Sequence, residues 1–143
     1  MSAAPRLTFR RSQRLAGRGC FKHVLDGRAR VDGPQIAVHA RPNDGPMHRM
    51  GISIGRKVGS AAQRNRLKRM LRESFRLDQH ALPQEAPAPY DFVIVVRPHE
   101  PLALADYRAI LAAAVRHLHA TWTKRHQRQH TRPTDAPVQQ PDC

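Results

Sequence analysis

"RMGISIGRKVGSAAQRNRLKRMLRESFR", from Arg49 to Arg76, decides the fold. Its first part alternates, with Met50, Ile52 and Ile54 on one face, and predicts a strand over Arg49–Gly55. Then the period changes. From about Ser60 to Leu77 the apolar residues recur at helical spacing, and Ser60 supplies an N-cap. With Arg64 at 0° and about 100° per residue, Leu67, Met70, Leu71 and Phe75 fall in an arc from about 240° round to about 20°. Arg64, Asn65, Lys68, Arg69, Arg72 and Arg76 fall between about 0° and about 140°. One side is therefore built to pack on a sheet and the other is a cationic ridge.

From Gly55 to Arg76 eight cations (Arg56, Lys57, Arg64, Arg66, Lys68, Arg69, Arg72, Arg76) accompany one acid, Glu73. A helix that merely faces water usually mixes signs through i, i+4 pairs. Arg64, Lys68 and Arg72 instead stack like charges about one turn apart. Such a ridge repels itself until an anion arrives. The alternative is a plain solvated face.

Outward from this stretch the pattern alternates between strands and helices. "RGCFKHVL", Arg18 to Leu25, predicts a short helix with Phe21, Val24 and Leu25 on one face, stopped by Asp26-Gly27. "RARVDG" predicts a short strand closed by a turn at Asp32-Gly33. "PQIAVHARP", Pro34 to Pro42, predicts a strand with Ile36 and Val38 on an apolar face and Ala37, His39 and Arg41 on a wet one. "NDGP" is a turn, and "LPQEAPAP", Leu82 to Pro89, a loop. The continuous apolar run Phe92–Val96 predicts a strand covered on both faces. Ala103 to Trp122 predicts a second long helix, with Leu104, Tyr107, Ile110, Leu111, Ala114, Val115, Leu118 and Trp122 as its stripe. The order α-β-β-β-α-β-α predicts an α/β (α+β) two-layer sandwich with one mixed four-stranded sheet. Three regions are expected: a basic, partly disordered arm over 1–17, the folded domain over 18–122, and a disordered polar and basic tail over 123–143.

Lys plus Arg total 25 and Asp plus Glu 11, a formal charge of +14. So large an imbalance points to a polyanionic partner, nucleic acid first. Cys20 and Cys143 sit near opposite ends and offer neither a disulfide framework nor a CxxC metal spacing, which fits a reducing cytoplasm. His117 and His119 point about 200° apart on a helix, so they read as solvated positions and no metal site is expected. No apolar run approaches a membrane span. The start, "MSAAPRLTFRRSQRLAGRG", is Arg-rich and free of acids. It fits either a mitochondrial transit peptide or a basic arm that lies on RNA.

In this strand–turn–helix context the block resembles the protein component of bacterial ribonuclease P. The pattern R-x-G-[LI]-S-[VI] is carried by Arg49, Gly51, Ile52, Ser53 and Ile54. The basic turn is Arg56, Lys57 and Gly59, and the R-N-R-x-K-R-x-x-R-E run is Arg64, Asn65, Arg66, Lys68, Arg69, Arg72 and Glu73. The resemblance runs from about Phe21 to Leu118. It implies the topology of the second domain of ribosomal protein S5. It also implies a subunit that joins a catalytic RNA, the ribonuclease P RNA, in removing the 5′ leader of precursor tRNA, with the RNA using Mg²⁺. Arg56, Lys57, Arg64, Asn65, Arg66, Lys68, Arg69 and Arg72 would contact that RNA. Phe21, Leu25, His39 and Arg41 would line a cleft for the single-stranded leader, with Phe21, and His39 beside it, as stacking platforms. Core packing is the alternative for Phe21. Leu25 and His39 stand where the family often has aromatics, and Gly55-Arg56-Lys57 replaces the usual S-K-K.

Protein-based catalysis is not expected. Asp26, Asp32, Asp44, Glu73 and Asp91 fall in unrelated elements, and no Ser–His–Asp relay can be assembled. Neither a membrane nor an obligate protein partner is expected, and the expected compartment is the cytoplasm. The competing readings are a structural RNA-binding protein of ribosomal type and a DNA-binding regulator. The second fits poorly, because a helix that buries a broad apolar face projects little into a major groove.

Overall fold

Ser60 starts the long basic helix with a reciprocal cap. Its hydroxyl accepts from the Gln63 backbone N–H at 3.2 Å, and the Gln63 side chain accepts from the Ser60 N–H at 2.8 Å. Two of the helix's orphan donors are thereby satisfied. The computed structural model describes residues 11–15 and 17–130. Its elements are α1 (Arg18–Asp26), β1 (Arg30–Asp32), β2 (Ile36–Pro42), β3 (Arg49–Ile54), α2 (Ala61–Asp78), β4 (Tyr90–Val96) and α3 (Leu104–His130), with short 3-10 turns at Arg11–Gln13, Arg56–Val58 and Gln79–Ala81.

The sheet runs β1-β2-β4-β3. β1 pairs with β2, and β2 with β4, antiparallel; β3 pairs with β4 parallel, which α2 makes possible as the crossover. β4 therefore has a strand on each edge, and side chains of its two faces pack in separate clusters, Phe92 and Ile94 in one and Val93 in the other, as its unbroken apolar run predicts. On one face Leu67, Leu71 and Phe75 of α2 and Tyr107, Ala114, Val115 and Leu118 of α3 pack with Ile36, Val38, Met50, Phe92 and Ile94. Each of these side chains that is fully buried contributes about 1.5–3 kcal/mol by leaving water. The mixed four-stranded sheet with its helices is the expected fold class.

The second face of the sheet differs from its reading. α1 lies across it, and Val24 packs with Leu15 and Val93, with Phe21 and Val95 beside them. Ala37 and His39, expected on a wet face, are consequently buried at 2% and 9% exposure. Alternation in β2 marks two faces, but it could not show that a helix covers the second.

Both ends of the folded region also extend further than expected. Leu15 is buried, its N–H donates to the Met50 carbonyl at 2.9 Å, and Arg14 bridges to Met50, so this segment covers the open edge of β3. At the other end α3 continues through 123–130, where a disordered tail was expected, because long-range hydrogen bonds hold it. The Trp122 indole N–H donates to the Ala40 carbonyl at 2.8 Å, and Arg125 donates to the Gly27 carbonyl at 2.6 Å. The expectations for 1–10 and 131–143, the transit-peptide reading among them, lie outside the described residues. Cys20, read as unpaired, is disulfide-bonded; Cys143 lies outside the described residues.

Candidate nucleic-acid interface

α2 is placed by its apolar side, and that placement turns its charges outward. Leu67, Leu71, Ser74 and Phe75 are buried, while Asn65, Arg66 and Arg69 are exposed. Arg64, Lys68 and Arg72 are half-buried along the border between the two faces. They were expected fully outward; the helix is rotated so that Arg66 and Arg69 lead. Arg56 and Lys57 are exposed on the 3-10 turn before the helix. The turn reaches the helix through Gly59, where a Cβ would collide with the Gln63 Oε1 that caps it.

Five acids of the described residues are committed elsewhere. Glu73 pairs with Arg76, Asp91 with Arg49, Asp78 with Arg108, Asp32 with Arg30 and Arg97, and Glu85 with His119. Among the described residues no ion pair engages Arg56, Lys57, Arg64, Arg66, Lys68, Arg69 or Arg72. Arg72 is held below its ordinary pKa first by burial and then by the positive charge of Arg14, although a guanidinium remains charged at any accessible pH. Arg14 thus adds to the same cationic region, and nothing in the sequence pattern alone links it to α2.

A second feature lies on the other side of β3. Phe21 and Leu25 line a shallow groove with Arg18, Lys22, Asp26 and the exposed Ser53. Phe21 is half-buried, so it packs in the second-face cluster and also lines the groove. Leu25 is 39% exposed. Arg18 and Lys22 were missed, although their i, i+4 spacing beside Phe21 and Leu25 carries the signal of a mixed apolar and basic face. His39 and Arg41 do not line this groove. His39 is buried near Arg30, and burial first, then that charge, lowers its pKa. Arg41 donates to the His23 carbonyl at 2.8 Å, beside the end of α1. Neither is therefore an open stacking or phosphate contact on the groove.

Arg49, the first residue of the strand motif, has a structural partner. Its guanidinium grips Asp91 through Nε to Oδ1 at 2.7 Å and Nη2 to Oδ2 at 2.6 Å, and Asn43 donates to the same carboxylate at 2.9 Å. His119, read as solvated, is half-buried and bonds Tyr90 Oη at 2.7 Å and Glu85 at 3.1 Å, tying the 82–89 loop to α3. An apolar cavity of about 770 Å³ lies between α2, α3 and that loop, lined by Phe75, Leu82, Phe92 and Leu111. It holds none of the ridge cations.

Residues 9–127 match the family model described as Ribonuclease P. The chain belongs to the ribonuclease P protein family. It is 41% identical over 109 residues to the ribonuclease P protein component of Photorhabdus laumondii, covering 76% of this chain and 86% of that one. It is 39% identical over 125 residues to that of Yersinia pestis, covering 87% and 95%. The ribonuclease P protein of Thermotoga maritima superposes with a TM-score of 0.62 at 28% identity, covering 72% of this chain and 96% of that one. The Staphylococcus aureus protein shares the fold, with a TM-score of 0.62 at 23% identity over 73% and 93%. The chain is therefore the protein subunit of ribonuclease P, a component of an endoribonuclease complex that works in tRNA processing and includes an RNA partner.

Proposed function

We propose that the ridge from Arg56 to Arg72 binds the ribonuclease P RNA, and that the groove beside Phe21 receives the 5′ leader of precursor tRNA. The observation that carries this reading is a set of seven cations, none ion-paired among the described residues, around a helix whose opposite side is core. Their mutual repulsion is relieved only when phosphates approach, and the released counterions make the affinity fall steeply with salt. Arg64, Arg66, Arg69 and Arg72 can each fork onto two phosphate oxygens. Asn65, exposed between them, can donate and accept at a sugar hydroxyl or base edge. The flat face of Phe21, with Arg18 and Lys22 beside it, suits a single strand: bases stack and cations follow the backbone.

The protein positions and the RNA reacts. Asp32, Asp78, Asp91, Glu73 and Glu85 are each engaged by a cation or His119, which supports a reading in which this chain leaves Mg²⁺ to the RNA. Mg²⁺ would be held by the RNA, where it supplies phosphodiester activation. The side chains of this chain hold the leader and screen the phosphates that the two RNAs bring together, in the cytoplasm where tRNA matures. Among the described residues no helix is long and apolar enough to cross a membrane.

The test is reconstitution. A bacterial ribonuclease P RNA and a precursor tRNA with a 5′ leader are mixed at low Mg²⁺, with and without the full chain. Leader removal should accelerate in its presence. Unchanged cleavage over a range of protein concentrations contradicts the proposal.

A further inference from the structure

α3 ends in a second cationic surface, at the opposite edge of the sheet from the ridge. From Tyr107 to His130 the chain contains no Asp or Glu, while Arg108, Arg116, Lys124, Arg125 and Arg128 fall there. The last turns are fixed in place. Arg125 donates to the Gly27 carbonyl at 2.6 Å and to the Arg28 carbonyl at 3.0 Å, and its guanidinium lies 4.6 Å from the Trp122 ring centroid. These carbonyls sit at the C-terminal end of α1, where orphan acceptors favour a cation. Arg125 is thus a positioning residue that sets α3 beside the turn after α1. In that turn Arg28 is exposed and takes φ +55°.

The exposed stripe of α3 here is His117, Lys124 and Arg128, which fall within about 40° of arc. Asp26 is the acid that α1 brings to this end, against Arg28, Lys124, Arg125 and Arg128. The stripe carries no large apolar side chain; among the described residues Leu25 is the exposed large hydrophobic. A surface helix that enters a membrane needs an apolar face of its own, which argues for a phosphate backbone as the partner. The location matters as well. The two helices touch each other, but Trp122 and Arg125 hold the end of α3 at β2 and the turn after α1, whereas α2 packs on β3. In the order β1-β2-β4-β3 the outer strands stand about 14 Å apart, at about 4.8 Å per step. One phosphate cannot touch both surfaces.

We propose that Arg28, Lys124 and Arg128, held in register by Arg125, form a second phosphate-binding surface that takes an RNA segment different from the one on the Arg64–Arg72 ridge. The inference rests on the RNA partnership proposed above. Its effect is to make the subunit a bridge between two parts of the ribonucleoprotein.

The experiment measures binding of the full chain to ribonuclease P RNA across a KCl series, with hydroxyl-radical footprints of each complex. Lys124→Ala with Arg128→Ala should flatten the salt slope by about two units, about one for each phosphate no longer neutralised. The fold should be kept, because both side chains are exposed. Combining this pair with Arg64→Ala and Lys68→Ala should add the two losses, and each pair should expose its own RNA segment. A slope unchanged by the 124/128 pair, with the 64/68 pair still effective, overturns the second surface and leaves the ridge standing. Slopes unchanged by both pairs overturn both readings. Loss of the same protections by both pairs, or an equal loss on heparin, overturns the claim of a separate RNA segment.

Discussion

The Phe21 ring lies directly against the backbone of Gly51: a Cβ built at Gly51 would stand 2.5 Å from two ring carbons and 2.9 Å from the Leu15 carbonyl oxygen. Only glycine lets α1 and the covering segment settle on β3 this closely. Gly51→Ala should therefore lift the Phe21 end of α1, cost about 1–3 kcal/mol of stability, and reshape the groove. Measured by binding competition, affinity for precursor tRNA should fall more than affinity for mature tRNA. Equal losses for the two ligands would remove Phe21 and Gly51 from the leader site.

Arg49 and Asp91 form a bidentate pair whose side chains are 21% and 5% exposed. Removing Arg49 leaves a buried carboxylate without its cation, so Arg49→Ala should destabilise the fold by about 3–5 kcal/mol. Urea unfolding measures this. RNA affinity per folded molecule should be retained. A stable Arg49→Ala protein that had lost RNA binding would move Arg49 from the scaffold to the interface.

Leu71 is 0% exposed and sits where α2 meets the sheet. Leu71→Ala should open a cavity and cost about 2–5 kcal/mol. A loss below about 1 kcal/mol in urea unfolding would mean that α2 docks less firmly than its burial indicates.

Much of this was legible because local and tertiary signals agree in α2. The 3.6-residue spacing of Leu67, Leu71 and Phe75, the Ser60 cap and the like-charged ridge all point one way. The missing parts depend on contacts distant in sequence. The last eight residues of α3 lack an apolar stripe and are helical because Trp122 and Arg125 reach carbonyls of residues 40, 27 and 28. His39 reads as a wet-face residue until α1 is laid over β2. Arg14 joins the ridge through a bridge to Met50, which no period reveals. Ser74 was overlooked as a core position because a hydroxyl looks polar; it is buried by donating to the Met70 carbonyl at 2.9 Å.

Stability should fall on mild acidification. Tyr90 N–H donates to His48 Nδ1 at 3.0 Å, so Nε2 carries the proton and donates to the Pro83 carbonyl at 2.8 Å. Burial lowers the His48 pKa, and the Pro83 hydrogen bond opposes it only in part. Burial also lowers His23, aided by Arg41, and His39, aided by Arg30. With folded pKa values below the unfolded value of about 6.5, the unfolded chain binds more protons in the window beneath it. The stabilisation is complete above about pH 6.5 and is lost as pH falls through the folded values. His48→Gln should be less stable at pH 7.5, yet lose less than the parent chain between pH 7.5 and 5.5 in urea unfolding. An equal loss would assign the acid sensitivity to His23 and His39.

The central claim is that the outward side of α2 grips RNA phosphates. Equilibrium binding to ribonuclease P RNA, measured from low to high KCl, tests it most directly. Arg64→Ala with Lys68→Ala should weaken binding at low salt and make the slope of log affinity against log salt shallower by about one to two units. The fold should be kept, since no described ion pair involves either residue. A slope identical to that of the parent chain, with the variant fully folded, would contradict the claim.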